Sequence, residues 1–430
     1  MATLAHRGLS PLRRPLSSGG TVLVQQTATH PAVTLYATLP AGSGFDVDAV
    51  LGRSNFVARV IDRGTERRTA DQLAEDLDGR GVSLGTSVSR HLLSLSCTCL
   101  AEDIHPILDI VADVLRRPTF PPDQIERRRG TIITAIRQDE DNPAAVAMEG
   151  LMSLLYPAGH PYGRETRGTV QTVERITRDD LVQFYRAQVG AAGLRLVIVG
   201  DVVPESAADA AEAAFGDWDV LGGPPLQPPP VTHAMDRRLR VTRMPGKAQS
   251  DIAYGFTTIR RSDPRYYPLT VLNNVLGQYA LGGRLGDSIR ERQGMAYYVF
   301  SSFDANIAEG PLVIRAGVSP SNVDRTIQSI DEEVERMAKD GVTAEELADS
   351  KRYLIGSMPR MLETNGGIAS FLHDADYFGL GLDFDRRLPS LVDAVTLEEV
   401  NAVAKTFLVP DRASIWVAGP PVEGAEEAAA

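Results

Sequence analysis

The chain has 430 residues, of which 43% are hydrophobic, and its mean hydropathy is −0.12. This length is enough for two or three domains with substantial cores, and no apolar run approaches the roughly 20 residues that a membrane-spanning helix needs. The net charge of −12 and the pI near 5.2 argue against nucleic acid and against an anionic membrane surface as the main partner.

The two ends of the chain differ from the rest in composition. Residues 1–18 contain arginines and serines but no acids, which faintly resembles a transit peptide, and they lack the apolar core of a secretory signal. The compartment therefore stays open, with a bacterial cytoplasm or periplasm favoured over a mitochondrial matrix. Residues 421–430 are low in complexity and are predicted to form a disordered tail.

Two cysteines alternate along one predicted strand, Cys97 and Cys99. Side chains two residues apart on a strand point to the same face. The pair could hold a metal or act as reactive thiols, and it also fits ordinary strand packing, which we favour. Two thiols build no disulfide framework.

An internal repeat runs through the sequence. Thr177 begins T-R-D-D-L, followed by an apolar helix and a strand that ends at Gly200, while Thr396 begins T-L-E-E-V, followed by a similar helix and a strand that ends at Gly419. Both the threonines and the glycines are 219 residues apart. Each threonine can cap a helix with an acid three positions later. The sequence therefore predicts two homologous units of about 200 residues.

A proline-rich segment separates the two units. Residues 222–230 read G-G-P-P-L-Q-P-P-P, which cannot be helix and behaves as a stiff, extended spacer. We predict an N-terminal domain over residues 1–221, a linker over 222–238 and a C-terminal domain over 239–420. Hairpin-connected strands alternate with long amphipathic helices in both, so each domain is expected to be α+β, with a mainly antiparallel sheet and helices packed on it.

The second half contains a helix followed closely by a strand. Leu281–Arg292 is predicted to be a helix, with Leu285 and Ile289 one turn apart, and Gly294 suits the left-handed residue that ends it. Ala296–Phe300 is then predicted to be a strand. If the chain reverses at Gly294, polar side chains on either side of the turn could converge at a sheet edge.

Arg290 and Tyr297 are the two polar side chains that flank this turn. Their spacing alone favours purely structural roles, with a surface arginine near a helix C-terminus and a tyrosine half-buried in a sheet. A functional interpretation needs support from the rest of the chain.

The first half supplies that support through the order of its short motifs. They are S-N-F-V-A-R-V-I-D-R-G-T over residues 54–65, then G-T-S-V-S-R, R-R-P-T-F, E-R-R-R-G-T-I-I-T-A-I and H-P-Y-G-R-E-T-R-G-T. This order and spacing resembles the pitrilysin, or insulinase, family of zinc metallopeptidases, especially the branch containing mitochondrial processing peptidase and its bacterial relatives. The resemblance covers residues 15–419 and implies that the chain forms one half of a clam-shell.

The zinc motif of the family is degenerate here. Active members have H-x-x-E-H, which puts two histidine ligands on one helix face with the glutamate as general base. The resemblance places this motif over residues 55–59, where Asn55 is a poor zinc ligand, Ala58 cannot take a proton and Arg59 would repel a dication. In active members a glutamate farther along the chain supplies the third zinc ligand, and a nearby acid supports the site. The resemblance places these two positions on Ala135 and Arg128. The resemblance therefore implies that this chain binds no metal.

The histidines give an independent check. No two of the seven are close enough in sequence to share a helix face, which weighs against a zinc site; they are His6, His30, His91, His105, His160, His233 and His373.

The second-half motif of the family, R-x-x-x-x-x-x-Y, survives as Arg290 and Tyr297. In the family it faces zinc held by a first-half domain. A tyrosine hydroxyl can donate to the oxyanion that develops when water attacks a peptide carbonyl, and a guanidinium can hold a neighbouring carbonyl of the substrate.

The resemblance implies a division of labour between two chains. Some family members pair a zinc-binding H-x-x-E-H subunit with a sister subunit that carries the arginine and tyrosine, and this chain resembles the sister. We expect a heterodimer with zinc in the partner, no cofactor in this chain, and unstructured peptide substrates that bind by adding a strand to an exposed sheet edge.

Alternatives remain at two levels. Gly282 and Gly283 could form a substrate-handling loop or the start of a helix, and we favour the helix start. Arg59 could pair with a buried acid or lie on a solvated face, and we favour the solvated face. The whole chain could instead be an inactive scaffold resembling the core subunits of the respiratory cytochrome complex, or a metal-free homodimer that binds peptides.

Overall fold

The computed structural model describes residues 8–220, 222–231, 233–278 and 282–420. The chain divides into two compact units. The first comprises residues up to Ile136, Glu165–Leu226 and Ser357–Arg387, and the second comprises Arg137–Arg164, Gln227–Gly356 and residues from Leu388 onward. Among the described residues, no helix has the length and apolar character that a membrane span requires.

The regular elements alternate along the chain. The strands are β1 Leu12–Pro15, β2 Thr21–Gln26, β3 Ala32–Leu39, β4 Gly85–Val88, β5 Leu93–Leu100, β6 Arg195–Gly200, β7 Arg238–Arg243, β8 Ser250–Thr257, β9 Ala296–Phe303, β10 Pro311–Val318 and β11 Ser414–Gly419. The α-helices are α1 Arg53–Val60, α2 Ala70–Asp78, α3 Ile104–Arg116, α4 Pro122–Glu140, α5 Pro143–Leu155, α6 Val170–Arg175, α7 Arg178–Gln188, α8 Pro204–Phe215, α9 Tyr266–Asn273, α10 Val323–Asp340, α11 Ala344–Met361, α12 Asn365–Tyr377, α13 Phe384–Asp393 and α14 Leu397–Phe407. Two π-helices, Asn274–Gln278 and Gly286–Arg292, lie in the second unit.

The first unit is built on a six-stranded sheet in the order β1-β2-β6-β3-β5-β4. Strand β6 pairs parallel to β2 and antiparallel to β3. Leu35 of β3 lies opposite Ile198 of β6 and Cys97 of β5, and all three side chains are buried in one apolar core. Alternate residues of neighbouring strands therefore build the core face of the sheet.

The second unit repeats this pattern in a five-stranded sheet, β7-β11-β8-β10-β9. Strand β11 pairs parallel to β7 and antiparallel to β8, as β6 does with β2 and β3. The predicted capping boxes at Thr177 and Thr396 are both present and begin α7 and α14. The predicted α+β class is confirmed, and the helix and strand on which the repeat was recognised recur in both units.

Two helices pack on the sheet of the other half of the sequence. Helix α5, from the first half of the sequence, packs on β8 and β11 of the second sheet, where Leu151 and Leu155 lie close to Gly255. Helix α12, from the second half, packs on β3 and β6. The contacts therefore group the chain differently from the predicted boundaries at residues 221 and 239, which remain a prediction about the sequence repeat.

Gly150 permits the close approach of α5 to the second sheet. A Cβ atom at this position would lie 2.1 Å from Cδ2 of Trp416, whose indole N–H donates to the Thr242 hydroxyl at 2.9 Å. Because the Trp416 ring leaves no room for an added methyl group, we expect Gly150→Ala to lower the free energy of unfolding by about 1–3 kcal/mol, measured by denaturant unfolding followed by circular dichroism.

A matched substitution in the same unit controls for the change of residue type. Gly356 lies within α11, and a Cβ there would have no neighbour within 4 Å. Gly356→Ala should raise stability by about 0.5–1 kcal/mol, because alanine loses less backbone entropy in a helix. Equal effects of the two substitutions would contradict the packing assigned to Gly150.

Candidate functional site

Tyr297 lies in a β-bulge on the edge strand of the second sheet. Within the described residues, β9 ends the sheet and pairs only with β10. Val318 lies opposite Ala296 and Gly317 opposite Tyr298, so Tyr297 is the extra residue between two paired positions. Its side chain is 80% exposed. Bulges re-aim side chains and are frequent beside active sites, and this one leaves the phenol projecting into solvent.

Arg290 lies in the wider turns of the π-helix that precedes β9. Gly294 ends this helix with a φ of +62°, as predicted, and the N–H groups of Gly294 and Met295 donate to Arg290 O and Ile289 O, both at 3.1 Å. The Arg290 guanidinium is 45% exposed and lies 4.0 Å from the Glu291 carboxylate, at the outer limit of an ion pair. It is therefore accessible to a ligand.

Most of the predicted helix over Leu281–Arg292 is a π-helix. Leu281 lies outside the described residues, Arg284 and Leu285 are helical, and Gly286–Arg292 is a π-helix. Leu285 and Ile289 are both buried, as their spacing predicted. An i, i+4 apolar pair fits an α-turn and a π-turn alike, so the spacing could not distinguish them, and π-turns are common at functional sites.

A groove of about 480 Å³ lies beside Arg290. Tyr298, Phe300 and Gln278 line it together with Arg290, whereas Tyr297 does not. The Tyr298 hydroxyl donates to the Asp251 carboxylate, whose burial raises the pKa of that carboxyl group. The groove thus combines aromatic walls with one cation. The sequence analysis missed these lining residues, and the alternation of aromatic residues along β9 was the signal available.

Gly283 belongs to the packing around this region. It is buried, and a Cβ there would lie 2.8 Å from Cα of Gly277, whereas Gly282 is exposed. Gly283 lets two backbone segments approach closely, which supports the helix start over the substrate-handling loop. Substrate contact by either glycine stays a prediction.

The positions that correspond to the family zinc motif lie on α1 of the first unit. Asn55 and Ala58 are buried and Arg59 is exposed. Asp46 anchors the start of this helix, because its carboxylate accepts hydrogen bonds from Ser54 N and Oγ and from Gly52 N. Burial raises the pKa of Asp46 to about 6.

Helix α4 brings the remaining two positions to the same region. The Arg129 guanidinium of α4 lies 5.2 Å from the centroid of the Phe56 ring of α1, so the two helices are in contact. Ala135 and Arg128 are on this α4 and are both half-buried.

These residues do not fit a zinc ion. Ala58 and Ala135 present methyl groups, Asn55 presents a neutral amide, and Arg59 is a permanent cation, whereas protein zinc sites use thiolate, imidazole or carboxylate ligands. Nowhere among the described residues do three His, Cys, Asp or Glu side chains form a group that could hold a metal.

His160 has a structural environment. Its Nδ1 accepts a hydrogen bond from Tyr162 N, and its Nε2 lies 3.1 Å from Pro229 O. Its ring also stacks on Tyr156. These contacts hold a loop of the second unit in place.

Cys97 and Cys99 are both buried in the core of the first unit. Burial raises the pKa of Cys97 to about 12 and that of Cys99 to about 11, so neither forms much of the reactive thiolate at neutral pH. We expect Ellman's reagent at pH 8 to titrate less than 0.1 thiol per folded chain within ten minutes and both thiols in denaturant. Rapid reaction of either thiol in the folded chain would contradict this burial.

Comparison with family models places both halves of the chain. The model of the insulinase family, peptidase family M16, matches residues 21–170. The model described as the peptidase M16 inactive domain matches residues 175–354. The chain belongs to peptidase family M16. This confirms the resemblance that the order of its motifs indicated.

M16 relatives of similar length carry contrasting names. The uncharacterized zinc protease YmxG of Bacillus subtilis is 25% identical over 402 residues, which is 93% of this chain and 96% of the relative. The non-peptidase homolog YmxG of Helicobacter pylori is 23% identical over 409 residues, covering 94% and 91%. A solved structure of the peptidase M16 inactive domain from Pseudomonas fluorescens matches with a TM-score of 0.89 and 25% identity, covering 96% of this chain and 98% of that one. Membership of family M16 therefore does not determine whether a chain is an active peptidase, and the residues at the site have to decide.

Proposed function

We propose that this chain is the non-metal subunit of a two-chain M16 peptidase, in which it positions peptide substrates and stabilises the oxyanion formed during hydrolysis. One observation carries the proposal: Tyr297 and Arg290 are both exposed on a chain whose zinc-motif positions hold no zinc ligands. The zinc and the general base belong to an H-x-x-E-H partner chain.

The roles of the two side chains follow from their chemistry. The exposed Tyr297 hydroxyl donates a hydrogen bond to the carbonyl oxygen of the scissile bond as that oxygen gains negative charge. The Arg290 guanidinium has several donors and holds a neighbouring peptide carbonyl. The aromatic walls of the groove beside Arg290 suit an apolar side chain of the same peptide.

The exposed edges of both sheets suit an extended substrate. Within the described residues β4 ends the first sheet and β9 ends the second, and each leaves one row of backbone groups without a neighbouring strand. An unstructured peptide can add to such an edge through main-chain hydrogen bonds, with little dependence on its sequence.

Co-expression with an H-x-x-E-H chain encoded nearby tests the proposal. We expect the two chains to co-purify, zinc to accompany the partner, and a fluorogenic unstructured peptide to be cleaved by the pair at least 100 times faster than by either chain alone. Metal-dependent cleavage by this chain alone would overturn the assignment, as would full activity of the partner alone.

A pair of substitutions in one helix makes the test specific for Arg290. Arg290→Ala should raise the KM of the pair about ten-fold, because a charge-assisted hydrogen bond to the substrate is lost. Arg292→Ala removes the same charge two residues away, where the guanidinium pairs with Asp287 at 2.9 Å, and should leave KM unchanged. Equal effects would show that only the net charge of this region matters.

A further inference from the structure

A cluster of arginines surrounds one acid at the end of α1. Asp62 lies in the turn after this helix, and its carboxylate pairs with the Arg63 guanidinium at 3.1 Å. The charges of Arg63, Arg128 and Arg59 all act on Asp62, and those of Arg63, Asp62 and Arg59 act on Arg128 in turn. Arg63 is thus in direct contact with the carboxylate, Arg59 and Arg128 act on it from a greater distance, and the three guanidinium groups leave an excess of positive charge.

Two buried atoms of this cluster have unmet hydrogen-bonding capacity. Asp62 Oδ1 and Arg63 Nε are shielded from solvent and have no hydrogen-bond partner among the described residues. The Asp62 side chain is only 8% exposed. A buried polar atom without a partner costs free energy, so the ion pair alone leaves the polar groups of this cluster incompletely satisfied. One of these atoms is an acceptor and the other a donor.

The cluster lies beside an open sheet edge. The Thr86 hydroxyl of β4 donates to Ala58 O of α1 at 2.7 Å, and β4 ends its sheet within the described residues. Arg59 follows Ala58 directly and is exposed, while Arg128 is half-buried. A peptide that lies along β4 therefore passes close to an accessible guanidinium group.

We propose that Arg59, Arg63 and Arg128 form a binding site for a carboxylate carried by a peptide, at the position where zinc-binding members of the family hold their metal. Guanidinium groups bind carboxylates through paired, charge-assisted hydrogen bonds. The carboxylate of a peptide, at its C-terminus or on an acidic side chain, is therefore the ligand group that this cluster fits.

This site goes beyond the proposed function, because it needs no partner chain. It also differs in its consequence: Arg59 at a ligand position and Arg128 at the position of a supporting acid change a place that binds a cation into one that binds an anion.

Binding of labelled peptides to the full chain alone tests the proposal. The probe is an uncharged ten-residue peptide with a blocked, fluorescein-labelled N-terminus, prepared with a free C-terminal carboxylate, with an amidated C-terminus, or amidated with one internal glutamate. Fluorescence anisotropy should show the free acid binding about ten-fold more tightly than the amide. Tight binding of the internal glutamate form would assign the carboxylate to an acidic side chain and would equally support the site.

Arginine substitutions locate the binding site. Arg59→Ala and Arg128→Ala should each weaken binding of the free acid about ten-fold and leave binding of the amide unchanged. Arg127→Ala is the matched control, since Arg127 is the exposed neighbour of Arg128 on the same helix, and it should have no effect. Circular dichroism melting of each variant checks that the fold is intact.

Three results would overturn the site: equal affinity for acid and amide, no binding of either form up to millimolar concentration, or an equal loss with Arg127→Ala. None of these results concerns cleavage by the two-chain complex, so the proposed function is tested separately.

Discussion

Replacing Tyr297 by phenylalanine should lower the kcat of the two-chain complex about 100- to 1,000-fold, because removal of one oxyanion donor typically has this effect. The ring is retained, and Tyr297 is 80% exposed. The substitution therefore removes a donor to the transition state with little cost to folding. The measurement is steady-state cleavage of a fluorogenic peptide by the purified pair, with KM expected to change by less than three-fold.

The adjacent tyrosine provides the control for this result. The Tyr298 hydroxyl donates to Asp251 and is committed to the fold, so Tyr298→Phe should leave kcat within a few-fold of the original value and lower stability by about 1–3 kcal/mol. Unchanged turnover in Tyr297→Phe, with zinc content and assembly of the pair intact, would remove Tyr297 from the mechanism.

The register of β9 explains why sequence reasoning could select Tyr297 but not describe its environment. The motif spacing from Arg290 and the turn at Gly294 were readable in the sequence. The bulge was not, because it arises from a shift in pairing between Gly317 and Val318 on a different strand. A side chain's direction on a bulged strand depends on that partner, so exposure of Tyr297 had to come from the structure.

The same distinction holds for the larger architecture. Helix starts at Thr177 and Thr396 were predictable, because a capping box is a contact between residues three positions apart. The packing of α5 on the second sheet was not, because it depends on Gly150 meeting Trp416 across 266 positions of sequence. A hydrogen bond between residues close in sequence can be predicted from the local sequence, whereas the sheet on which a helix packs depends on the fold of the whole chain.

The arginine cluster follows this pattern too. The alignment with the family motif placed Arg59 and Arg128 at positions of lost metal chemistry, and each taken alone fitted a solvated face. Asp62 and Arg63 had no place in that motif, and only the turn after α1 brings their charges to the other two. The favoured interpretation of Arg59 as a solvated residue agrees with its exposure but omitted the neighbours that give it a possible role.

The stability of the loop between α1 and α2 should depend strongly on Arg68. Its guanidinium donates to Asp113 Oδ2 at 2.8 Å and to Asp109 Oδ2 at 2.6 Å. Asp113 is fully buried and also accepts from the Thr65 hydroxyl at 2.6 Å. Arg68→Met leaves this buried carboxylate without its main counter-charge, and we expect the free energy of unfolding to fall by about 3–5 kcal/mol, measured by denaturant unfolding.

Arg67 is the matched control for this prediction. Its side chain is 51% exposed and pairs with Asp109 at 3.1 Å at the surface, where an ion pair contributes about 0–1 kcal/mol. Its Nε lies 3.9 Å from Asp113 Oδ1, too far for a hydrogen bond, so Arg67 contributes less than Arg68 to holding the buried carboxylate. Arg67→Met should therefore cost at most about 1 kcal/mol. Equal losses from the two substitutions would contradict a buried network around Asp113.

A second change in the network separates the loss of the ion pair from the loss of packing. Asp113→Asn in the Arg68→Met background removes the buried negative charge, to which Arg67 and Arg117 remain at 3.9 and 3.8 Å, while keeping an oxygen that accepts from Thr65. Because a neutral amide costs less to bury than a carboxylate, the double variant should regain about half of the lost stability. A double variant no more stable than Arg68→Met would mean that the arginine acts through packing of its aliphatic stem. Recovery would show that the loop between α1 and α2 is held by a buried charge pair.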